Sequence, residues 1–197
     1  MSKPYNPPLV EQWVTDKLKA ADIFYPDQLD PERVAAAFGV DYLLWHGITF
    51  SYRGNPDGRI YIVNNADVSE PERRYRFFHE LAHALRHAGD QCDMAETFRQ
   101  AQEWDANLCA MYAAIPFHMI DFNNGYTIYT LMDEFTATEP LARRRAEDIR
   151  QKTIAAEQFR NEGYGPAPEW SFRIDKCSSE TKRIIDQLAR QIGRKIG

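Results

Sequence analysis

The sequence predicts an α+β fold, mostly helical, with a small sheet ahead of its central helix. Three observations predict it. Amphipathic stretches with helix start and stop signals recur along most of the chain. Two β-rich runs, residues 41–48 and 59–64, flank the turn residues Asn55-Pro56-Asp57-Gly58. The 197 residues are 44% apolar, enough to bury a core without disulfide staples.

The elements follow in order. Residues 1–8 read as a loose tail, and 9–20 fit a short amphipathic helix. Asp30 is placed to cap a second helix with Pro31 at its first position and Gly39 at its end. After the two strands, Ser69-Glu70-Pro71-Glu72 has the form of a capping box for a helix reaching about His87. A loop at 88–93 leads to a helix from about Met94 to Ile115, stopped by Pro116. An Asn123-Asn124-Gly125 turn precedes helical patterns at 127–136 and 139–156. Residues 161–170 read as linker, and 178–194 as a polar last helix.

Composition excludes several classes of function. With 24 Lys and Arg against 29 Asp and Glu, the net charge of −5 disfavours nucleic-acid binding through bulk charge, though it leaves a local basic face open. The longest uninterrupted apolar run, residues 108–115, is far shorter than the roughly 20 residues a membrane span needs. The start has no apolar signal region. Three widely spaced cysteines, Cys92, Cys109 and Cys177, fit reduced thiols, so the expected location is cytoplasmic and no membrane partner is expected.

The chemistry centres on His79-Glu80-Leu81-Ala82-His83. On a helix His83 lies about 40° round from His79 and one turn along, so both imidazoles share a face and can hold one Zn²⁺. Glu80 flanks that face at about 100°, while Phe77, Phe78, Leu81, Ala84 and Leu85 fall on the opposite side. A catalytic zinc needs a third protein ligand and an open position. Gly89 occupies the place where a third histidine of an HExxHxxGxxH pattern would stand, which excludes that pattern. His87 is about 12 Å along the axis from His79, too far to share the ion, and reads as a surface or second-sphere residue. Glu103 is the best third ligand. It heads a seam of small residues, Ala106, Ala110 and Ala114, that lets its helix press close, with Asn107 one turn on to hydrogen-bond a ligand. The competing reading is a solvated Glu103–Asn107 pair.

These residues carry a resemblance. Residues 75–85 (YRFFHELAHAL), then Glu103, Ala106, Asn107, Ala110 and Pro116, resemble the ImmA/IrrE metallopeptidases over about residues 30–120. Cys109 departs from the aromatic that the family often carries there. The resemblance implies a gluzincin-like site with one Zn²⁺ on His79, His83 and Glu103, and Glu80 as base. It implies a zincin-like core with a small antiparallel sheet, in which strand 59–64 is an edge that an extended peptide can join. His118, Tyr112 and Tyr75 are open candidates for an oxyanion donor.

The later sequence resembles a helix–turn–helix. Phe135 and Ala137 stand where buried residues precede the turn, Thr138 can cap the second helix, and Leu141, Ala142 and Arg145 follow at the usual offsets. As a DNA reader it would set Arg143, Arg144, Arg145 and Arg150 on phosphates. Acidic neighbours dilute that charge, so a packing or docking module is favoured and DNA is the disfavoured partner. The organisation expected is 1–124 as peptidase core with N-terminal helices, 125–160 as the helix–turn–helix-like segment, and 161–197 as linker and last helix. The expected function is a zinc-dependent endopeptidase, a hydrolase acting on a protein. The resemblance implies a regulatory substrate such as a helix–turn–helix repressor, and so a part in transcription regulation. The alternative is a DNA- or protein-binding regulator with a structural or sensory zinc site.

Overall fold

A computed structural model of the chain describes residues 5–54, 58–87, 95–122 and 125–161. The order is α1 (Leu9–Ala20), a 3₁₀ turn (Pro26–Gln28), α2 (Pro31–Ala37), β1 (Val40–Trp45), β2 (Phe50–Arg53), β3 (Ile60–Asn65), α3 (Glu70–Arg86), α4 (Glu96–Ala114), a 3₁₀ turn (Phe117–Met119), α5 (Ile128–Phe135) and α6 (Glu139–Asn161). The α+β architecture and its predominance of helix are as the sequence predicts. The loop at 88–93, the linker beyond residue 161 and the last helix at 178–194 lie outside the described residues, as do positions 55–57 and 123–124 of the two turns. Among the described residues no helix is long and apolar enough to cross a membrane.

The sheet differs from expectation in two ways. Its order is β1-β3-β2, with β1–β3 parallel and β2–β3 antiparallel, so it is mixed rather than antiparallel. Strand 59–64 is therefore the centre of the sheet and not an edge. Its continuous run Ile60-Tyr61-Ile62-Val63 suits a strand flanked on both sides. The edge beside the central helix is β2, four residues long and set antiparallel with Ser51 opposite Ile62.

Helix ends follow local chemistry unevenly. The Asp30 carboxylate accepts from the amides of Glu32 and Arg33, as a cap should. Ser69 stands at the start of α3, but its hydroxyl makes no capping bond. Glu72 instead takes the Arg76 Nε–H at 2.8 Å one turn on, so the expected capping box is not formed. α3 buries Phe77, Phe78, Leu81 and Ala82 against a core that includes Val14, Leu18 and Ile62. α4 buries Ala106, Ala110 and Ala114, the small-residue seam, together with Cys109, and packs along α3.

The chain divides into two compact units, Met1–Ala156 and Glu157–Gly197. Residues 125–156 of the helix–turn–helix-like segment therefore share a unit with the helices before them. Phe135, Ala137, Leu141 and Ala142 are buried there, and Thr136 makes the turn in the left-handed region at φ 48°. Arg145 is wholly buried. Its guanidinium donates to Glu11, to Asp148 at 2.6 Å and to the Ile115 carbonyl at 2.9 Å. Lys152 completes the cluster on Glu11 at 3.1 Å and Asp148 at 2.8 Å. Arg145 is thus unavailable to a phosphate, a correction to the set of four arginines. Arg143 and Arg150, though exposed, are paired with Glu139 and Glu147.

Candidate metal centre

The α3 face opposite its buried stripe carries His79, Glu80 and His83, all partly exposed. The small seam of α4 brings Glu103 against them. The Nε2 atoms of His79 and His83 are 3.0 Å apart. Glu103 Oε2 is 3.4 Å from His79 Nε2, and Oε1 is 3.3 Å from His83 Nε2. Four ligands at 2.0–2.1 Å in a tetrahedron have edges of about 3.3 Å, so this triangle fits a cation at its centre. Among the described residues, these three form the group that could hold a metal ion. Burial first, then the neighbouring His79, push His83 down to about 4. Its ring is then uncharged at neutral pH, as a ligand must be.

Glu80 lies outside the triangle. Its Oε2 accepts a hydrogen bond from Ser51 Oγ at 2.8 Å, so β2 holds the carboxylate in place. Asn107 acts on Glu103 through the main chain: its Nδ2 donates to the Glu103 carbonyl oxygen at 2.7 Å rather than to the carboxylate. Its Oδ1 accepts from the Tyr75 hydroxyl at 2.8 Å, which ties the turn before His79 to the turn after Glu103.

The three open oxyanion candidates part company. The Tyr75 hydroxyl is engaged by Asn107, and the Tyr112 hydroxyl accepts from Lys152 at 2.9 Å in the buried ion cluster. Both ring nitrogens of His118 lack a hydrogen-bond partner among the described residues, and burial lowers its pKa. Sequence reasoning missed Ser51, because β2 itself was missed. It also missed Asp105, which accepts from Arg86 Nε at 2.7 Å and Nη2 at 3.0 Å and lies 3.1 Å from His87 Nε2. Its position on α4, two residues after Glu103, was the available signal.

Two imidazoles and a carboxylate on neighbouring helices, with a further glutamate alongside, make a site of the metallopeptidase type. Comparison with known proteins agrees. A family model described as the IrrE N-terminal-like domain, Peptidase_M78, matches residues 45–147, and the chain belongs to that family. It is 31% identical over 111 residues to YqaB of Bacillus subtilis (strain 168), a match covering 56% of this chain and 63% of YqaB. It is 30% identical over 115 residues to the phage-like element PBSX protein XkdA of the same organism, covering 56% of this chain and 55% of XkdA. The chain thus spans less than two thirds of either relative.

Proposed function

We propose that this chain is a zinc-dependent endopeptidase that acts in the cytoplasm on a regulatory protein, a helix–turn–helix repressor being the substrate class the resemblance implies. The reading takes His79, His83 and Glu103 as ligands of one Zn²⁺, Glu80 as the catalytic base and Asn107 as support for Glu103. One observation carries it: three donor atoms from two helices meet at tetrahedral-edge spacing while Glu80 stands beside them, bonded to Ser51. A structural site has no use for that additional glutamate. The naming of one relative after a phage-like element favours a regulatory circuit of a mobile element as the setting.

A bound zinc ion would polarise the scissile carbonyl and make an attacking water acidic near neutral pH. The Glu80 carboxylate, steadied by Ser51, takes the proton from that water and passes it to the leaving amine. Asn107 and Tyr75 fix the backbone that presents Glu103. Protein is favoured over DNA as the partner, because Arg145 is buried and Arg143 and Arg150 are paired with carboxylates.

The test uses the full chain loaded with one equivalent of zinc. It is mixed with a purified helix–turn–helix repressor, or with unrelated denatured proteins, and products are read by mass spectrometry. Expected are discrete cuts in the first and none in the second. Glu80→Gln should keep the zinc and lose roughly 10²- to 10⁴-fold in cleavage rate. Broad cutting of denatured proteins refutes the dedicated substrate, and full cleavage by Glu80→Gln refutes the mechanism.

A further inference from the structure

We propose that His87 and Asp105 are positioning residues that fix the tautomer of His83, so that its Nε2 lone pair is presented to the metal. The inference rests on the metal reading above, in which Glu103 and His83 Nε2 both face the ion, and adds to it a chain of hydrogen bonds whose direction is set when His87 is neutral. His83 Nδ1 lies 2.9 Å from His87 Nδ1, and His87 Nε2 lies 3.1 Å from Asp105 Oδ2. A carboxylate accepts and cannot donate, so the proton of His87 sits on Nε2. In the neutral His87 ring Nδ1 is then bare and accepts, which places the His83 proton on Nδ1. His83 Nε2 is left bare, facing His79 and Glu103.

The chain is anchored at both ends. His87 closes α3, with backbone φ −106° and ψ 129°, and its amide still donates to the His83 carbonyl at 3.0 Å. That bond sets its ring one turn from His83, with centroids 5.0 Å apart. Asp105 is gripped from the other side by the two-pronged Arg86 contact, and the Arg86 guanidinium rests 4.7 Å over the Trp13 ring. The side chains of His83, His87 and Asp105 are only 11%, 13% and 20% exposed, so water competes poorly for these bonds. His79 Nδ1, by contrast, has no partner among the described residues. The relay therefore serves one ligand, and it spans both helices that build the site.

Two measurements test it on the full chain. The first is long-range ¹H–¹⁵N correlation of the histidine rings in the metal-free protein at neutral pH. Protons on His83 Nδ1 and His87 Nε2 are expected, and a proton on His83 Nε2 overturns the relay without any variant having to fold. The second is zinc affinity by competition with a chromophoric chelator. His87→Ala should bind roughly 10- to 100-fold more weakly, with an unchanged metal-free circular dichroism spectrum. His87→Gln, whose side-chain carbonyl can accept from His83 Nδ1, should recover part of that loss. Asp105→Asn should weaken binding as well, because its amide can donate to His87 Nε2 and reverse both rings. Equal zinc affinity in the wild type, His87→Ala and Asp105→Asn overturns the relay and leaves the metal site standing. Failure of the wild type to bind zinc overturns the metal reading instead, and the ring tautomers still decide the relay.

Discussion

Replacing Arg145 with methionine separates a structural arginine from a DNA-reading one. Methionine keeps much of the buried volume but removes the donors to Glu11, Asp148 and the Ile115 carbonyl. Glu11 is 1% exposed and would be left with Tyr5 and Lys152 alone. Breaking a buried pair by removing one partner costs about 3–5 kcal/mol, and the surviving partners put this case at the low end. The orphaned Ile115 carbonyl adds about 1 kcal/mol, which brings the loss to about 4 kcal/mol. At roughly 2–4 °C per kcal/mol for a unit of this size, Tm should fall by roughly 8–16 °C in a calorimetric scan. Adding Glu11→Leu should restore part of it, because an apolar pair replaces a stranded charge. The exposed Arg144→Met should stay within about 0.5 kcal/mol of wild type. An Arg145→Met protein that melts within about 2 °C of wild type, with no compensation in the double variant, would refute the reasoning.

Other perturbations have equally definite outcomes. Ser51→Ala removes the hydroxyl that holds Glu80 and should lower kcat roughly tenfold, the scale of one hydrogen bond to a charged group, with zinc stoichiometry unchanged by metal analysis. Glu103→Ala leaves two nitrogens of the triangle and should lose tight zinc binding in equilibrium dialysis while retaining its helical circular dichroism. Acid should destabilise the chain through Glu11. Burial alone would raise its carboxyl, but Arg145, Tyr5 and Lys152 outweigh that and hold it below 4.5. A group depressed on folding contributes stability above its unfolded value, so this contribution is intact above about pH 4.5 and fades as pH falls through the folded pKa. Glu11→Gln should flatten that limb of a Tm-against-pH curve.

The sequence made the site legible where the chemistry is local. His79, Glu80 and His83 lie within one and a half turns of a single helix, so periodicity alone places them on one face. Glu103 was legible as the head of an alanine seam, a pattern that declares a close helix contact without naming what it meets. Ser51 was not legible, and Asp105 was marked only by its place two residues after Glu103, which does not reveal its partners. Ser51 belongs to a four-residue strand with three of its residues exposed, too short and too little buried to show alternation. Asp105 matters only through Arg86 and His87 on another helix. The misplaced sheet edge had a readable sign in retrospect: Ile60-Tyr61-Ile62-Val63 is apolar on both faces, as an inner strand is. Arg145 had one too. Among three consecutive arginines it alone keeps phase with Leu141, Ala142 and Ile149, the buried stripe of α6.

The Arg145 knot also bears on what can be cut away. It fastens Glu11, near the start of the chain, and the carbonyl just past the end of α4 to a helix that looks, on paper, like an add-on. A stop codon or a protease nick ahead of residue 145 would not trim an ornament. It would maroon the Glu11 carboxylate in an oily interior and leave without its donor the carbonyl just past the end of the helix that also carries Glu103. Shortened versions of this chain should therefore fail at the buried Arg145 cluster without losing any of the residues that form the metal triangle.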